Sequence, residues 1–377
     1  MGGRRCGLMK RPPVRSDLQE MSGYHSPQVD VEVRLNTNEA PFPPPEEFQS
    51  AFVAELKEVE WNRYPDRAAQ LLREDLAALH DVEPAQIFVA NGSNEVLQTL
   101  CLTFGGYGRT ALSFTPTYAM YAQIARTTQC RVVEVPRDEN FLITSSILDN
   151  AIENEAPELL FLCSPNNPTG TPESIELVRA AISRAPGLVV VDEAYGQFAD
   201  FTAIDLFSED PPPESLVVTR TFSKTWSMAG VRLGYCVMPS WMLNEFEKVV
   251  LPYHLDSVKQ VAGRVALRFY EEMEERVSQI AFERSRIEAQ VANLGLTVWR
   301  SQANFVMLRT TPSGLSGDEV WERLLRRSVL VRNCSSWPGL LDCLRVTVGT
   351  PSENTTFLAA LEAVSYTHLT LPTTPYV

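Results

Sequence analysis

Lys224 stands in Thr221-Phe222-Ser223-Lys224, and Met228-Ala229-Gly230-Val231-Arg232 follows it. A lysine amine can form a Schiff base with an aldehyde, and Arg220 or Arg232 nearby should depress its pKa and favour the neutral nucleophile. Upstream lie Ser164-Pro165-Asn166-Asn167-Pro168-Thr169-Gly170 and Val191-Asp192-Glu193-Ala194-Tyr195. Asp192 ends an apolar run, where a carboxylate needs a cationic partner. A pyridinium N–H is one such partner, and a structural salt bridge is another. Asn167 and Tyr195 can both reach one phenolic oxygen, although Asn167 also suits a turn before proline. Ser223, Thr221 and Arg232 offer hydroxyl and guanidinium groups for a phosphate. Ser93 and Asn94 open a helix after Gly92, where free N–H groups suit an anion. Simple helix capping asks for the same residue types. Tyr118 can lay its ring on a flat cofactor or pack as a core tyrosine. Together these groups fit one cofactor, pyridoxal 5′-phosphate.

Short apolar runs alternate with helical patterns around these residues. The expected strands are Ile87–Ala90, Ala111–Phe114, Arg131–Val135, Leu159–Cys163, Leu188–Val191, Leu216–Thr219 and Leu233–Val237. Their alternation with helices predicts an α/β fold, a three-layer sandwich with a mostly parallel central sheet. The runs are nearly all apolar, as expected of strands covered on both faces. Ligands of such sheets sit beyond the C-terminal ends of the strands. Asn91–Asn94, Asn167, Asp192 and Ser223-Lys224 all fall at strand exits, so separate motifs can converge on one cleft.

Helical spacing is read over Glu46–Glu60 and Ala68–His80, and a long charged helical pattern over Leu255–Leu294. A smaller α+β domain is expected beyond it. Thr297–Arg309 and Val329–Val348 would hold its strands, with helices near Ser316–Arg326 and Asn354–Val364. Gly105-Gly106-Tyr107-Gly108 reads as a turn, because a dinucleotide fingerprint needs a strand–turn–helix context.

The chain of 377 residues carries a formal charge of −14, which argues against nucleic acid and anionic membranes as partners. Seven scattered cysteines suggest reduced thiols and a cytoplasmic protein. No metal-binding spacing and no bilayer-length apolar run occurs. The basic N-terminus lacks an apolar signal core, and Met9 or Met21 are alternative starts. Ser365–Val377 reads as a non-native, adapter-derived tail, with a natural disordered tail as the alternative.

With these motifs in place, the chain resembles the fold-type I pyridoxal-phosphate-dependent aminotransferases and, among them, the histidinol-phosphate aminotransferase family. The resemblance runs from about Tyr24 to Val364. It rests on Leu35-Asn36-Thr37-Asn38-Glu39, Arg63-Tyr64-Pro65-Asp66, Thr115 to Tyr121, Ser164 to Gly170, Asp192 to Tyr195, Thr221 to Arg232, and Cys343 to Gly349. It implies that Lys224 carries the Schiff base, Asp192 holds the ring nitrogen, and Asn167 with Tyr195 holds the phenolic oxygen. Tyr118 would stack, and Ser93, Asn94, Thr221, Ser223 and Arg232 would hold the cofactor phosphate. Tyr64 would reach the cofactor of a neighbouring subunit, implying a homodimer. Arg345, Arg332, Tyr24 and Asn304 would bind substrate. Ala40 stands where the family usually has asparagine.

The implied reaction is transamination of L-histidinol phosphate with 2-oxoglutarate. Aromatic amino-acid transamination and decarboxylation of threonine phosphate are the alternatives. The implied organisation is an N-terminal extension over 1–22, an arm over 23–45, a large cofactor-binding domain over 46–260, a small domain over 261–364, and the tail over 365–377.

Overall fold

The computed structural model describes residues 12–19, 21, 23 and 29–366. Tyr24 and residues 367–377 of the expected tail lie outside them. A first short strand, β1 (Val33–Leu35), is followed by seven that form the central sheet. These are β2 (Ile87–Ala90), β3 (Thr110–Thr115), β4 (Arg131–Pro136), β5 (Leu159–Cys163), β6 (Leu188–Asp192), β7 (Leu216–Thr221) and β8 (Gly234–Val237). Their order is β2-β8-β7-β6-β5-β3-β4. The pairs among β3 to β7 are parallel, while β8 runs antiparallel to both β7 and β2.

Alternate residues of these strands feed two cores on opposite faces. Leu160, Leu162, Val189 and Val191 pack with Leu72, Leu148, Val178 and Val265 of helices on one side. Leu159, Phe161, Leu188 and Val190 pack with Val96, Leu100, Ile124 and Phe246 on the other. Burial on both faces explains why the strand sequences are apolar throughout. The result is the expected three-layer α/β sandwich.

A second sheet has the order β1-β11-β12-β10-β9. Its members are β9 (Thr297–Val298), β10 (Phe305–Arg309), β11 (Val329–Asn333) and β12 (Cys343–Thr347). β1 pairs in parallel with β11, Val33 opposite Val329, and the other pairs are antiparallel. Its core includes Phe305, Val331, Val346 and Phe357.

The pattern over Leu255–Leu294 resolves into two helices, Ser257–Leu267 and Tyr270–Asn293. Phe269 breaks the run at φ −110°, ψ 42°, and its ring packs edge-on against Phe48, 6.1 Å away. Packing of that partly buried ring against the first core wins over helix continuity. The expected domain limit at residue 260 falls inside the helix Ser257–Leu267, and Ala262 and Val265 beyond it pack in the first core. The last helix, Pro351–Tyr366, runs past Val364, and Ser365 is buried with its hydroxyl donating to the Leu361 carbonyl at 2.9 Å. No described helix is long and apolar enough to cross a membrane.

Candidate active site

A cavity of about 310 Å³ opens where β5, β6 and β7 end. Residues 37–39 and Arg345 of β12 close it from the second sheet. Ten of the expected cofactor residues line it: Ser93, Asn94, Tyr118, Asn167, Asp192, Tyr195, Thr221, Ser223, Lys224 and Arg232.

Lys224 is half-buried, three residues past the end of β7. Its Nζ donates to the Thr37 carbonyl at 3.3 Å and stands 5.8 Å from the centre of the Tyr195 ring. Burial, then the Arg345 guanidinium, pull its pKa down to about 8; Glu39 opposes them and Arg232 adds a smaller push. The expected contribution of Arg220 does not arise. Arg220 is buried and paired with Glu193 at 2.6 Å, so its charge is answered on the spot.

Asp192, the last residue of β6, is 3% exposed. Oδ1 accepts from the Thr219 hydroxyl at 3.0 Å and the Ala194 amide at 3.1 Å, and Oδ2 from the Tyr121 hydroxyl at 2.7 Å. All three donors are neutral. Burial therefore prevails and raises the carboxyl above its ordinary range. A salt bridge was the competing expectation, and no described cation lies within ion-pair distance of this carboxylate.

Asn167 accepts from Arg345 Nη1 through Oδ1 at 2.6 Å. Guanidinium only donates, so the amide oxygen must face Arg345 and the NH2 group is turned away. That leaves Asn167 as a donor for the cavity. Tyr195 is 4% exposed and receives a hydrogen bond from Asn38 Nδ2 at 2.9 Å. The Tyr118 hydroxyl donates to Asn94 Oδ1 at 3.1 Å, and its ring meets Tyr121 edge-on.

At the far end, Thr221 donates to Ser223 Oγ at 3.0 Å, and Arg232 Nη1 donates to the same oxygen at 3.2 Å. Gly92, at φ +82°, leads into the helix Ser93–Phe104. A Cβ on Gly92 would lie 2.8 Å from Arg232 Nη2, so only glycine lets the guanidinium sit against this turn. Hydroxyls, a guanidinium and a helix N-terminus thus meet in one corner, a donor set suited to a phosphate.

Arg345 is 6% exposed. Nη2 donates to the Asn36 carbonyl at 2.9 Å, its plane faces Phe305, and Nε has no partner. No described carboxylate forms an ion pair with it. A buried guanidinium with neutral partners is a site for an anion. Arg332 lies directly across the strand pair from Arg345 and over the Trp337 ring at 5.4 Å, outside the cavity wall.

Asn304 departs from expectation. It is fully buried behind the wall, and its Nδ2 donates to the Asn38 carbonyl at 3.1 Å. It supports the lining instead of belonging to it. Tyr64 is 79% exposed and stacks on Tyr253 at 4.4 Å, away from its own chain's cavity. Tyr121, Thr219 and Asn38 were missed from sequence. Tyr121 had a signal, since it follows Tyr118 by one helical turn.

The sequence model of the family described as aminotransferase class I and II matches residues 30–361. The histidinol-phosphate aminotransferase of Frankia casuarinae is 42% identical, covering 93% of this chain and 89% of its own length. That of Corynebacterium diphtheriae is 40% identical over 94% of this chain and 96% of its own. The crystal structure of the Sinorhizobium meliloti enzyme of the same name, in complex with pyridoxal 5′-phosphate, superposes with a TM-score of 0.84 at 23% identity. It covers 96% of this chain and 99% of that one, a likeness of fold.

Proposed function

The chain belongs to the class I and class II aminotransferases, and on that premise we propose that it is a pyridoxal-phosphate enzyme that moves the amino group of L-histidinol phosphate to 2-oxoglutarate, in histidine biosynthesis. One observation carries the reading. A single cavity holds a lysine amine, a buried carboxylate with no cation, and a buried guanidinium with no anion. The residues fit the cofactor: a protonated ring nitrogen would supply the charge that Asp192 lacks, and the corner beside Gly92 would take the phosphate. The choice of substrate is supported by the names of relatives at about 40% identity over more than nine-tenths of the chain.

When bound, pyridoxal phosphate supplies a protonated ring that draws in the electron pair released at the substrate Cα. Lys224 holds the cofactor's aldehyde carbon at rest. Once displaced by the substrate amine, Nζ would take the Cα proton and return it, across the substrate nitrogen, to the carbon it had held. A pKa near 8 suits this work, because the amine is neutral often enough to act as base. Asp192 keeps the ring nitrogen protonated, and Asn167 and Tyr195 donate to the phenolic oxygen. Ser93, Asn94, Thr221, Ser223 and Arg232 hold the phosphate, and Tyr118 lies on the ring. Arg345 grips the anionic end of the substrate, with Arg332 further out, and Tyr24 is a further candidate for substrate binding from the sequence. Asn304 acts through Asn38.

Tyr64 serves the cofactor of a second protomer, which makes a homodimer the working unit. Its exposure supports this role. The buried, unbridged cysteines among the described residues suit the cytoplasm.

The test is a single-turnover measurement on the cofactor-loaded protein with L-histidinol phosphate, phenylalanine and threonine phosphate in turn. Conversion to the pyridoxamine form is expected to be fastest with histidinol phosphate. Equal or faster conversion with phenylalanine would replace the substrate by an aromatic amino acid. Release of CO2 from threonine phosphate would replace the reaction itself.

A further inference from the structure

We propose that Asn38 and Thr347 are positioning residues that fix the direction of the Tyr195 hydroxyl, so that its proton points into the cavity. The proposal rests on the cofactor reading above and goes beyond it. It concerns why Tyr195 acts as a donor when a phenol can equally well accept.

A chain of donors and acceptors runs from Thr347 through Asn38 to Tyr195. The Asn38 backbone N–H donates to Thr347 Oγ1 at 2.9 Å. No other acceptor among the described residues is in reach of that buried hydroxyl, so its own hydrogen goes to Asn38 Oδ1 at 3.1 Å. The oxygen of the Asn38 side chain therefore faces Thr347, and its NH2 group faces Tyr195 at 2.9 Å. An amide NH2 donates and does not accept. The Tyr195 oxygen must take that hydrogen bond, and its own proton is left for another acceptor. No described residue supplies one, and Tyr195 lines the cavity.

The three groups are rigidly held. Asn38, Tyr195 and Thr347 are 1%, 4% and 4% exposed, so water does not compete for these bonds. Asn38 adopts φ +55°, a left-handed geometry that asparagine tolerates, and Asn304 Nδ2 pins its carbonyl at 3.1 Å. Thr347 closes β12 two residues beyond Arg345, and the Tyr195 ring packs edge-on against Phe305 of β10. The second sheet thus sets the polarity of a phenol that belongs to the first. Lys224 and Arg345 lie near this phenol, and neither forms a hydrogen bond with its hydroxyl.

A donor aimed at the phenolic oxygen of the cofactor stabilises its anionic form. Withdrawing that donor makes the oxygen more basic, and the Lys224–cofactor linkage then holds its proton to higher pH. The experiment is an absorbance titration of the cofactor-loaded protein. Asn38→Asp presents only acceptors to Tyr195 and should turn its proton away from the cavity. Thr347→Val frees the Asn38 amide to flip.

The midpoint is expected to rise by about one pH unit or more in Asn38→Asp, the scale of one hydrogen bond to a charged oxygen. A smaller rise is expected in Thr347→Val, and Thr347→Ser should restore the wild-type midpoint. Tyr195→Phe should show the Asn38→Asp shift, and the double variant should show no more than either single. Unmoved midpoints in both Asn38→Asp and Thr347→Val, or additive shifts in the double variant, would overturn the relay while leaving the cofactor reading intact. A wild-type protein with no cofactor absorption would overturn that reading and the relay with it. Thr347→Val and Thr347→Ser decide the matter if Asn38→Asp does not fold.

Discussion

Lys224 is a weaker base than a surface lysine because burial and Arg345 both disfavour its ammonium. Below about pH 8 the neutral fraction of Nζ falls tenfold for each unit, and above it the fraction levels off. Capture of pyridoxal phosphate by the cofactor-free protein should follow that curve, slowing as pH falls below about 8. Stopped-flow absorbance across pH 6 to 10 checks it, and a flat profile would detach the rate from this amine. Arg345 makes the second residue-scale prediction. Arg345→Lys keeps the charge but loses the fork that holds Asn167 and Asn36 together. KM for the amino donor should rise about ten- to a hundredfold, with a smaller fall in kcat, the cost of one or two charged hydrogen bonds. Most of the candidate residues that the cavity gathers could be picked out because they sit in short motifs at strand exits. Tyr121, Thr219 and Asn38 were not, because they act on those residues from behind, through contacts that only the fold creates.

The strand exits do the positioning. Asp192 ends β6, Thr221 ends β7, and Gly92 bridges β2 to the helix that presents Ser93 and Asn94. The strands were readable because double burial leaves long apolar runs in the sequence. β1 was not readable as a strand, since three residues carry no period and its pairing comes from β11. The run read over Thr297–Arg309 is likewise interrupted. Residues 299–304 leave the sheet, and there Gln302 N–H donates to the Gly170 carbonyl at 2.7 Å. At this scale the decisive substitution is Gly92→Ala. Its Cβ meets Arg232 Nη2 at 2.8 Å, on a backbone with φ +82°. Affinity for pyridoxal phosphate should fall about tenfold or more, through displacement of Arg232 and about 1 kcal/mol or more of backbone strain. A fluorescence titration measures it, and wild-type affinity would show that Arg232 does not need its place against the turn.

At the scale of the whole molecule, the site draws on both sheets, and the proposed use of Tyr64 extends it to a second chain. Mixing Tyr64→Ala and Lys224→Ala proteins tests that extension. Each homodimer would be defective at both sites, while a hybrid would carry one site with both residues intact. Random re-association of equal amounts should restore about a quarter of wild-type activity, from half the dimers with one working site each. No recovery, with hybrids verified by mass, would place Tyr64 outside the neighbouring site. The bipartite architecture was legible in outline from the change of pattern near residue 255. Its junction was not, because the break at Phe269 depends on a ring packed against Phe48, far away in sequence.

The parallel pairing of Val33 with Val329 has a consequence for the chain as it leaves the ribosome. All strands of the central sheet emerge before residue 240, so that sheet can assemble with Lys224 already in place. The early segment 33–38 must then wait, unpaired, until β11 and β12 have been synthesised. Only then do Thr37, Asn38 and Arg345 close over the lysine. A nascent chain would thus carry a reactive amine without the walls that govern it, and functional competence waits until β11 and β12 have left the ribosome.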